Sequence, residues 1–211
     1  MRWKKFGETT TEEGHKVFIS GKEDKHEHCV GFLVHKDIVN TVMGCCPVSS
    51  RLITNLLRAV PFNITIVQVY ATSDYDDNKR EELYDQLQNA IDQTQKKDIL
   101  VVQRDRNAKW AGRVACGNWQ GICEPFCNDD TNERGLRRLE FATFNDLVLA
   151  NAFGHHKASR KWTWHSPSGQ HHNQIDYILV KKRFRSRVNV ARTRSFPGAD
   201  IGSNHNLLMM T

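Results

Sequence analysis

The sequence predicts a protein of the α/β class, built as a sandwich of sheets and helices. Two observations favour this class. Short runs rich in β-branched and aromatic residues alternate with amphipathic helical segments, and closely spaced strands that suit antiparallel hairpins are mixed with long crossovers. The chain has 211 residues, of which 39% are hydrophobic and 26% are charged, and this length suits one globular core better than two. We therefore expect a single domain over residues 1–211.

The first half of the chain contains three predicted strands, at residues 29–34, 63–70 and 99–102. Each is rich in β-branched or aromatic residues and is bounded by polar or turn residues. Between the second and third strands, apolar residues recur at helical spacing within a charged segment. They are Leu83, Leu87, Ala90 and Ile91. This pattern predicts an amphipathic helix over residues 78–93.

The second half begins with a predicted helix over residues 132–145. Thr131 is its expected N-cap, and Leu136, Leu139 and Phe144 form its expected apolar side. Four further strands are predicted, at residues 148–150, 161–165, 174–180 and 188–191.

Charge and composition restrict the possible partners and the cellular location. Thirty Lys and Arg residues against 24 Asp and Glu residues give a net charge of +6, which favours a polyanionic partner such as nucleic acid. No apolar run approaches the roughly 18 residues of a membrane helix, and the first residues lack the apolar stretch of a signal peptide. We expect an intracellular monomer, nuclear or cytoplasmic, whose six cysteines are reduced thiols.

The first candidate site residues follow the predicted strand at 99–102. If that strand continues, Asp105 and Asn107 project to the same side, and a cleft at the strand end would receive one carboxylate and one amide. The carboxylate can accept a proton from water, and the amide can orient water or a phosphate oxygen. The alternative is that both residues simply begin a turn.

A second candidate lies in the predicted strand at 174–180. Asp176 interrupts an apolar run, and an unpaired buried carboxylate costs several kcal/mol, so it needs a partner. His205 is the candidate partner, because a carboxylate fixes the tautomer of an imidazole and supports its charged form. The alternative is a structural bond from Asp176 to the backbone and a surface histidine.

Five motifs occur in an order that resembles the endonuclease/exonuclease/phosphatase superfamily. Within it the chain resembles the apurinic-endonuclease-like domain of RTE-type (Bov-B) retrotransposons, from about Val30 to the last residue. The motifs are Gln68-Val69-Tyr70-Ala71, Asp105-x-Asn107, Thr163-Trp164-x-Ser166-Pro167, Gln174-Ile175-Asp176-Tyr177-Ile178-Leu179 and Ser203-x-His205.

The resemblance implies a four-layer sandwich of two mixed β-sheets flanked by helices, with a Mg²⁺-dependent DNA phosphodiesterase site at one edge. It implies that Tyr70 contacts the scissile phosphate and that Asp105 and Asn107 activate and orient the attacking water. It also implies that Asp176 holds His205 against the phosphate. The predicted substrate-binding residues are Thr163, Ser203, Arg104 and Arg106.

The departures from the family pattern fall on the metal side of the site. The Ser-Asp-His motif becomes Ser203-Asn204-His205, so a neutral amide occupies a metal-side position. The first family strand and the metal-binding Glu have no counterpart, and the chain stops at Thr211, inside the expected closing strand. Mg²⁺ prefers carboxylate oxygens, so we expect weak or absent metal binding and impaired catalysis.

Three functions remain open at this point. The first is a retrotransposon-derived endonuclease-like domain with impaired catalysis on DNA. The second is a non-catalytic module that binds nucleic acid or protein through the old substrate face, and the third is a gene remnant without a selected role. The basic stretch at residues 181–187 could contact phosphates beside Asp176, act as a nuclear address or form a solvated loop.

Overall fold

The computed structural model describes residues 5–22, 29–71, 77–106, 119, 121–123, 133–154, 156–196 and 202–211. At residues 77, 104–106, 133–135 and 191 it describes the backbone alone. The chain divides into two compact units, residues 1–104 and residues 105–211.

The first unit begins with a three-stranded antiparallel sheet. It consists of β1 (Phe6–Thr10), β2 (Lys16–Ser20) and β3 (Val30–Val34), in that order. β3 confirms the strand predicted at 29–34, but β1 and β2 were not predicted. All five residues of β1 are exposed, so the strand lacks the alternation of apolar and polar residues that marks a half-buried strand.

The first unit also contains the neighbouring strands β4 (Val42–Ser49), β5 (Leu52–Leu57) and β6 (Ile64–Ala71), and all but the last two residues of β7 (Ile99–Arg106). β4 with β5 and β5 with β6 form antiparallel pairs. β6 confirms the strand predicted at 63–70. β7 confirms the strand predicted at 99–102 and continues to Arg106.

Helix α1 (Asp77–Asp92) packs against β5 and β6. It confirms the helix predicted over 78–93, and the residues of its predicted apolar face, Leu83, Leu87, Ala90 and Ile91, are all buried. Burying one leucine side chain contributes roughly 1.5–3 kcal/mol, so this face anchors the helix to the sheet. At its end the Thr94 hydroxyl donates to the Ala90 carbonyl oxygen at 3.1 Å.

Helix α2 (Glu133–Phe144) lies in the second unit, and it confirms the helix predicted over 132–145. The predicted apolar side is wrong at two positions, since Leu136 is 41% exposed and Phe144 is 81% exposed, whereas Leu139 is buried. The buried face includes Arg138, whose guanidinium carbon lies 4.2 Å from the centre of the Tyr177 ring. A pattern of apolar residues does not detect a charged residue that lies in a buried face and contacts an aromatic ring. Thr131, the predicted N-cap, lies outside the described residues.

The strands of the second unit pair in antiparallel fashion. They are β8 (Leu147–Leu149) with β11 (Tyr177–Lys181), β9 (Trp164–His165) with β10 (His172–Asn173), and β12 (Arg194–Phe196) with β13 (Leu207–Met209). The strand predicted at 148–150 is present one residue earlier, as β8, and the strands predicted at 161–165 and 174–180 are present in shorter form, as β9 and β11.

The strand predicted at 188–191 is wrong. Val190–Arg192 form a 3-10 turn, because Asn189 adopts a left-handed backbone with φ of 41° that interrupts an extended chain. No helix in the described part of the chain is long and apolar enough to cross a membrane. Within the described residues, Cys29, Cys45, Cys46 and Cys123 are thiols that take part in no disulfide.

Candidate functional site

The candidate site in the second unit is centred on Asp176 and His205, which lie 29 residues apart in sequence. Asp176 Oδ2 and His205 Nδ1 are 3.0 Å apart, and the two side chains are 16% and 33% exposed. An ionised carboxylate can only accept a hydrogen bond, so this geometry favours the tautomer in which the Nδ1–H group donates a hydrogen bond to Asp176. The pairing that the sequence predicted is therefore present. Asp176 itself stands just before β11 and not inside a strand.

Backbone bonds between residues 162–165 and 203–206 position His205. The Asn204 carbonyl oxygen accepts from His165 N at 2.9 Å, and Asn206 N donates to the Thr163 carbonyl oxygen at 2.8 Å, so His205 stands opposite Trp164. Ser203 Oγ accepts from His205 N at 3.1 Å. These bonds fix the main chain on both sides of the imidazole.

Thr163 holds the main chain that carries Asp176. Its hydroxyl oxygen accepts hydrogen bonds from the backbone N–H groups of Ile175 and Asp176, both at 2.9 Å. Thr163 is fully buried, and its assignment as a substrate-binding residue stays a prediction. The threonine orients the segment from which the Asp176 carboxylate projects.

Asn151 is a site residue that the sequence analysis missed. Its Nδ2 donates to the Asp176 carbonyl oxygen at 2.9 Å, and its Oδ1 accepts from Ile178 N at 3.1 Å. Asn151 is buried, as is Gln174, whose Nε2 donates to the Asn151 carbonyl oxygen at 3.1 Å. A signal was available, because Asn151 is the polar residue within the apolar run at 147–153 and a buried amide requires partners.

The predicted metal position, Asn204, is exposed at the surface beside His205. Its side chain is a neutral amide, whereas Mg²⁺ is usually held by one or two carboxylates together with water and substrate phosphates. The carboxylate of Asp176 is bonded to His205, and within the described residues no group of three or more His, Cys, Asp or Glu side chains could hold a metal ion. The described residues therefore do not fit a Mg²⁺ site.

The structure describes some of the remaining predicted site residues in full, some as backbone alone and one not at all. In the first unit Tyr70 lies in β6, half-buried, and the guanidinium carbon of Arg51 is 5.9 Å from the centre of its ring. Arg104, Asp105 and Arg106 form the end of β7, where the structure describes the backbone alone. The remaining predicted catalytic residue, Asn107, lies outside the described residues.

A second titratable group, His156, lies in a basic part of the second unit. The pKa of His156 is held below its ordinary value of 6.5, first by burial and then by the positive charges of Arg194, Lys161 and Arg160. Its Nε2 atom is buried and has no hydrogen-bond partner within the described residues. The neutral ring is favoured because a further positive charge here would be desolvated and repelled.

Two curated relatives match almost the whole chain. Craniofacial development protein 2 from Bos taurus is 35% identical over 210 residues, covering 99% of this chain and 34% of that protein. The protein of the same name from Tragulus javanicus is also 35% identical over 210 residues, covering 99% of this chain and 35% of that protein. The chain is homologous to a segment of craniofacial development protein 2.

The chain spans about a third of the length of these curated relatives. The resemblance was expected to begin at about Val30, but the alignment includes β1 and β2 as well. No protein-family model matches the sequence.

Solved nuclease structures share the fold. The endonuclease domain of TRAS1, a telomere-specific non-LTR retrotransposon, gives a TM-score of 0.65 at 14% identity, covering 93% of this chain and 79% of that chain. The 3′-5′ exonuclease NExo from Neisseria meningitidis gives a TM-score of 0.64 at 15% identity, covering 92% of this chain and 79% of that chain. NExo from Neisseria bound to a product DNA hairpin gives a TM-score of 0.63 at 14% identity, covering 92% of this chain and 78% of that chain. The predicted endonuclease/exonuclease/phosphatase fold is confirmed.

Proposed function

We propose that this chain is an endonuclease-like domain in which His205 contacts a phosphate group of DNA and in which catalysis is impaired. The observation that carries the proposal is the 3.0 Å bond between Asp176 and His205. Asp176 fixes the proton on Nδ1, which assigns the phosphate contact to Nε2. An imidazolium that donates to a phosphate oxygen forms a charge-assisted hydrogen bond, which is roughly twice as strong as a neutral one.

The roles of the other site residues follow from the resemblance and remain part of the proposal. Tyr70 contacts the phosphate, and Asp105 and Asn107 activate and orient water. Ser203 holds the His205 backbone through a 3.1 Å bond and presents an exposed hydroxyl to the substrate.

The impairment is proposed from the chemistry of Asn204. A metal ion contributes several kcal/mol of charge stabilisation to phosphoryl transfer, and each 1.36 kcal/mol corresponds to about tenfold in rate. An amide in place of a carboxylate binds Mg²⁺ more weakly, and Arg104 and Arg106 cannot generate a metal-bound hydroxide. We therefore expect cleavage to be slower by orders of magnitude than in an enzyme with an intact metal site.

The test is the nicking of supercoiled plasmid with Mg²⁺ and with EDTA. We expect the wild type to nick no faster than the Asp105→Ala and His205→Ala variants, and the single change Asn204→Asp to leave that result unaltered. Robust nicking that EDTA prevents and that Asp105→Ala abolishes would show that catalysis is intact.

The distribution of charge favours a second candidate, a non-catalytic module that binds nucleic acid. The segment 156–196 contains ten Lys and Arg residues and a single acidic residue, Asp176. The exposed residues Lys182, Arg183, Arg185 and Arg187 form a basic turn directly after β11. At roughly 3.3 Å per strand residue, this turn begins about 20 Å from Asp176, so it cannot contact the same phosphate as His205. A nucleic acid bound to both would have to extend along the strand.

Salt-dependent DNA binding in EDTA tests this second candidate. The matched variants are a triple change to Gln at Arg183, Arg185 and Arg187, and a control change to Gln at Lys96 and Lys97, which are exposed in the first unit. Each lost phosphate contact reduces the slope of log K against log salt by about 0.9, so the triple variant should lose up to about 2.7 while the control keeps its slope. Equal slopes in the wild type and the triple variant would exclude the basic turn as a binding surface.

A further inference from the structure

The main chain around Asp176 extends beyond the end of its neighbour β8. β8 stops at Leu149, opposite Leu179, and residues 150–152 then form a 3-10 turn. If the pairing continued in the same register, residue 151 would stand opposite Tyr177. The carboxamide of Asn151 replaces the missing peptide group, because it donates to the Asp176 carbonyl oxygen and accepts from Ile178 N.

Both backbone groups of Asp176 are therefore bonded to buried side chains. Its N–H donates to Thr163 Oγ1 and its carbonyl oxygen accepts from Asn151 Nδ2, each at 2.9 Å. Thr163 is fully buried and Asn151 is 5% exposed, so water does not compete easily for either bond. With the peptides on both sides fixed, only the side-chain torsions of Asp176 remain to align its carboxylate with His205.

We propose that Asn151 is a positioning residue for His205 and acts through Asp176. The inference rests on the proposed function, in which the His205 imidazole contacts phosphate. Removing the carboxamide leaves the partly buried Asp176 carbonyl oxygen and the buried Ile178 N–H group without these partners, and the segment must shift to find new ones. A shift of the carboxylate weakens its bond to Nδ1, and the imidazole then loses its single tautomer.

The tautomer of His205 is the measurement, read from the ¹⁵N chemical shifts of its ring in alkaline buffer, where the ring is neutral. We expect the wild type to show the Nδ1–H tautomer. The isosteric variant Asn151→Asp cannot donate to the Asp176 carbonyl oxygen, and we expect its tautomer ratio to move by about tenfold towards Nε2–H. Asn151→Ser, which leaves space for a bridging water, should move the ratio less.

The control variant is Asn145→Ala, which removes another buried asparagine side chain of the second unit, one that donates to the Phe141 carbonyl oxygen at 3.1 Å. It should leave the tautomer unchanged. Action through Asp176 also predicts non-additivity, so that Asn151→Asp changes the ratio no further in an Asp176→Asn background.

Three results would overturn the proposal. They are an unchanged tautomer in folded Asn151→Asp, an additive effect in the double variant, and loss of the dispersed indole signals in both Asn151 variants, which would make Asn151 a residue of general stability. None of these readouts depends on DNA cleavage. A failure of the nicking prediction would therefore be distinguishable from a failure of this one.

Discussion

Replacing Thr163 with valine would remove one hydroxyl oxygen and leave the volume of the side chain almost unchanged. That oxygen accepts two backbone N–H groups, those of Ile175 and Asp176, at 2.9 Å each. A buried donor left without a partner costs about 1–3 kcal/mol, and Asp176 is partly exposed, so its share falls near the lower bound. We expect the free energy of unfolding to fall by about 2–4 kcal/mol.

Thr163→Ser is the matched control, because it keeps the hydroxyl and removes one buried methyl group. The loss of that methyl costs about 1 kcal/mol from transfer and a small cavity. Urea unfolding followed by tryptophan fluorescence compares the variants, since Trp162 and Trp164 flank the substitution. Valine should therefore be less stable than serine by about 1–3 kcal/mol.

Amide hydrogen exchange locates the effect of the same substitution. The Ile175 and Asp176 amides should exchange faster in Thr163→Val by about tenfold for each 1.4 kcal/mol lost, and little faster in Thr163→Ser. The contrary result would be a Thr163→Val variant that is as stable as Thr163→Ser and whose Ile175 amide exchanges at the wild-type rate. The hydroxyl of Thr163 would then not hold the main chain at Ile175 and Asp176.

Three further outcomes follow from single residues. The pKa of His156 lies below its ordinary value of 6.5, chiefly because of burial, so the unfolded chain takes up the proton first as the pH falls. The free energy of unfolding should therefore decline below pH 6.5, and His156→Gln should flatten that decline when urea midpoints are compared on both sides of this pH. An equally steep decline in the variant would show that His156 does not contribute. Burial and the nearby Cys46 and Glu8 raise the pKa of Cys45 to about 12, so iodoacetamide should label the exposed Cys46 first. Peptide mass spectra measure the labelling of each cysteine, and equal labelling rates would contradict the burial of Cys45. Asn55 is 1% exposed in β5, and its Oδ1 has no hydrogen-bond partner within the described residues. Asn55→Val should therefore raise the free energy of unfolding by about 1–2 kcal/mol and shift the urea midpoint upwards. A lower midpoint would show that the amide is satisfied.

Local patterns predicted the elements that rest on local chemistry. The stripe of Leu83 and Leu87 located α1 to within one residue at each end, because the period of a helix is written in neighbouring residues. The same logic failed for Phe144, which is 81% exposed, since the orientation of α2 is set by its packing against β8. It also missed β1, whose exposed residues carry no alternation.

The candidate site was also predicted only in part. The burial of Asp176 within an apolar run required a partner, and the resemblance pointed to His205, so the pair could be predicted from the sequence. The roles of Thr163 and Asn151 could not, because both side chains bond to main-chain groups of the Asp176 segment, and a main-chain partner leaves no complementary side chain to recognise in the sequence.

The sequence by itself determined the α/β class, both α-helices and six of the thirteen strands within the described residues, and the chemical types at the candidate site, since these depend on composition and short-range periodicity. Only the tertiary structure decided which buried polar groups meet and which face of α2 is covered. Those properties depend on where each strand ends and on the register in which strands pair, and neither is encoded in any single segment.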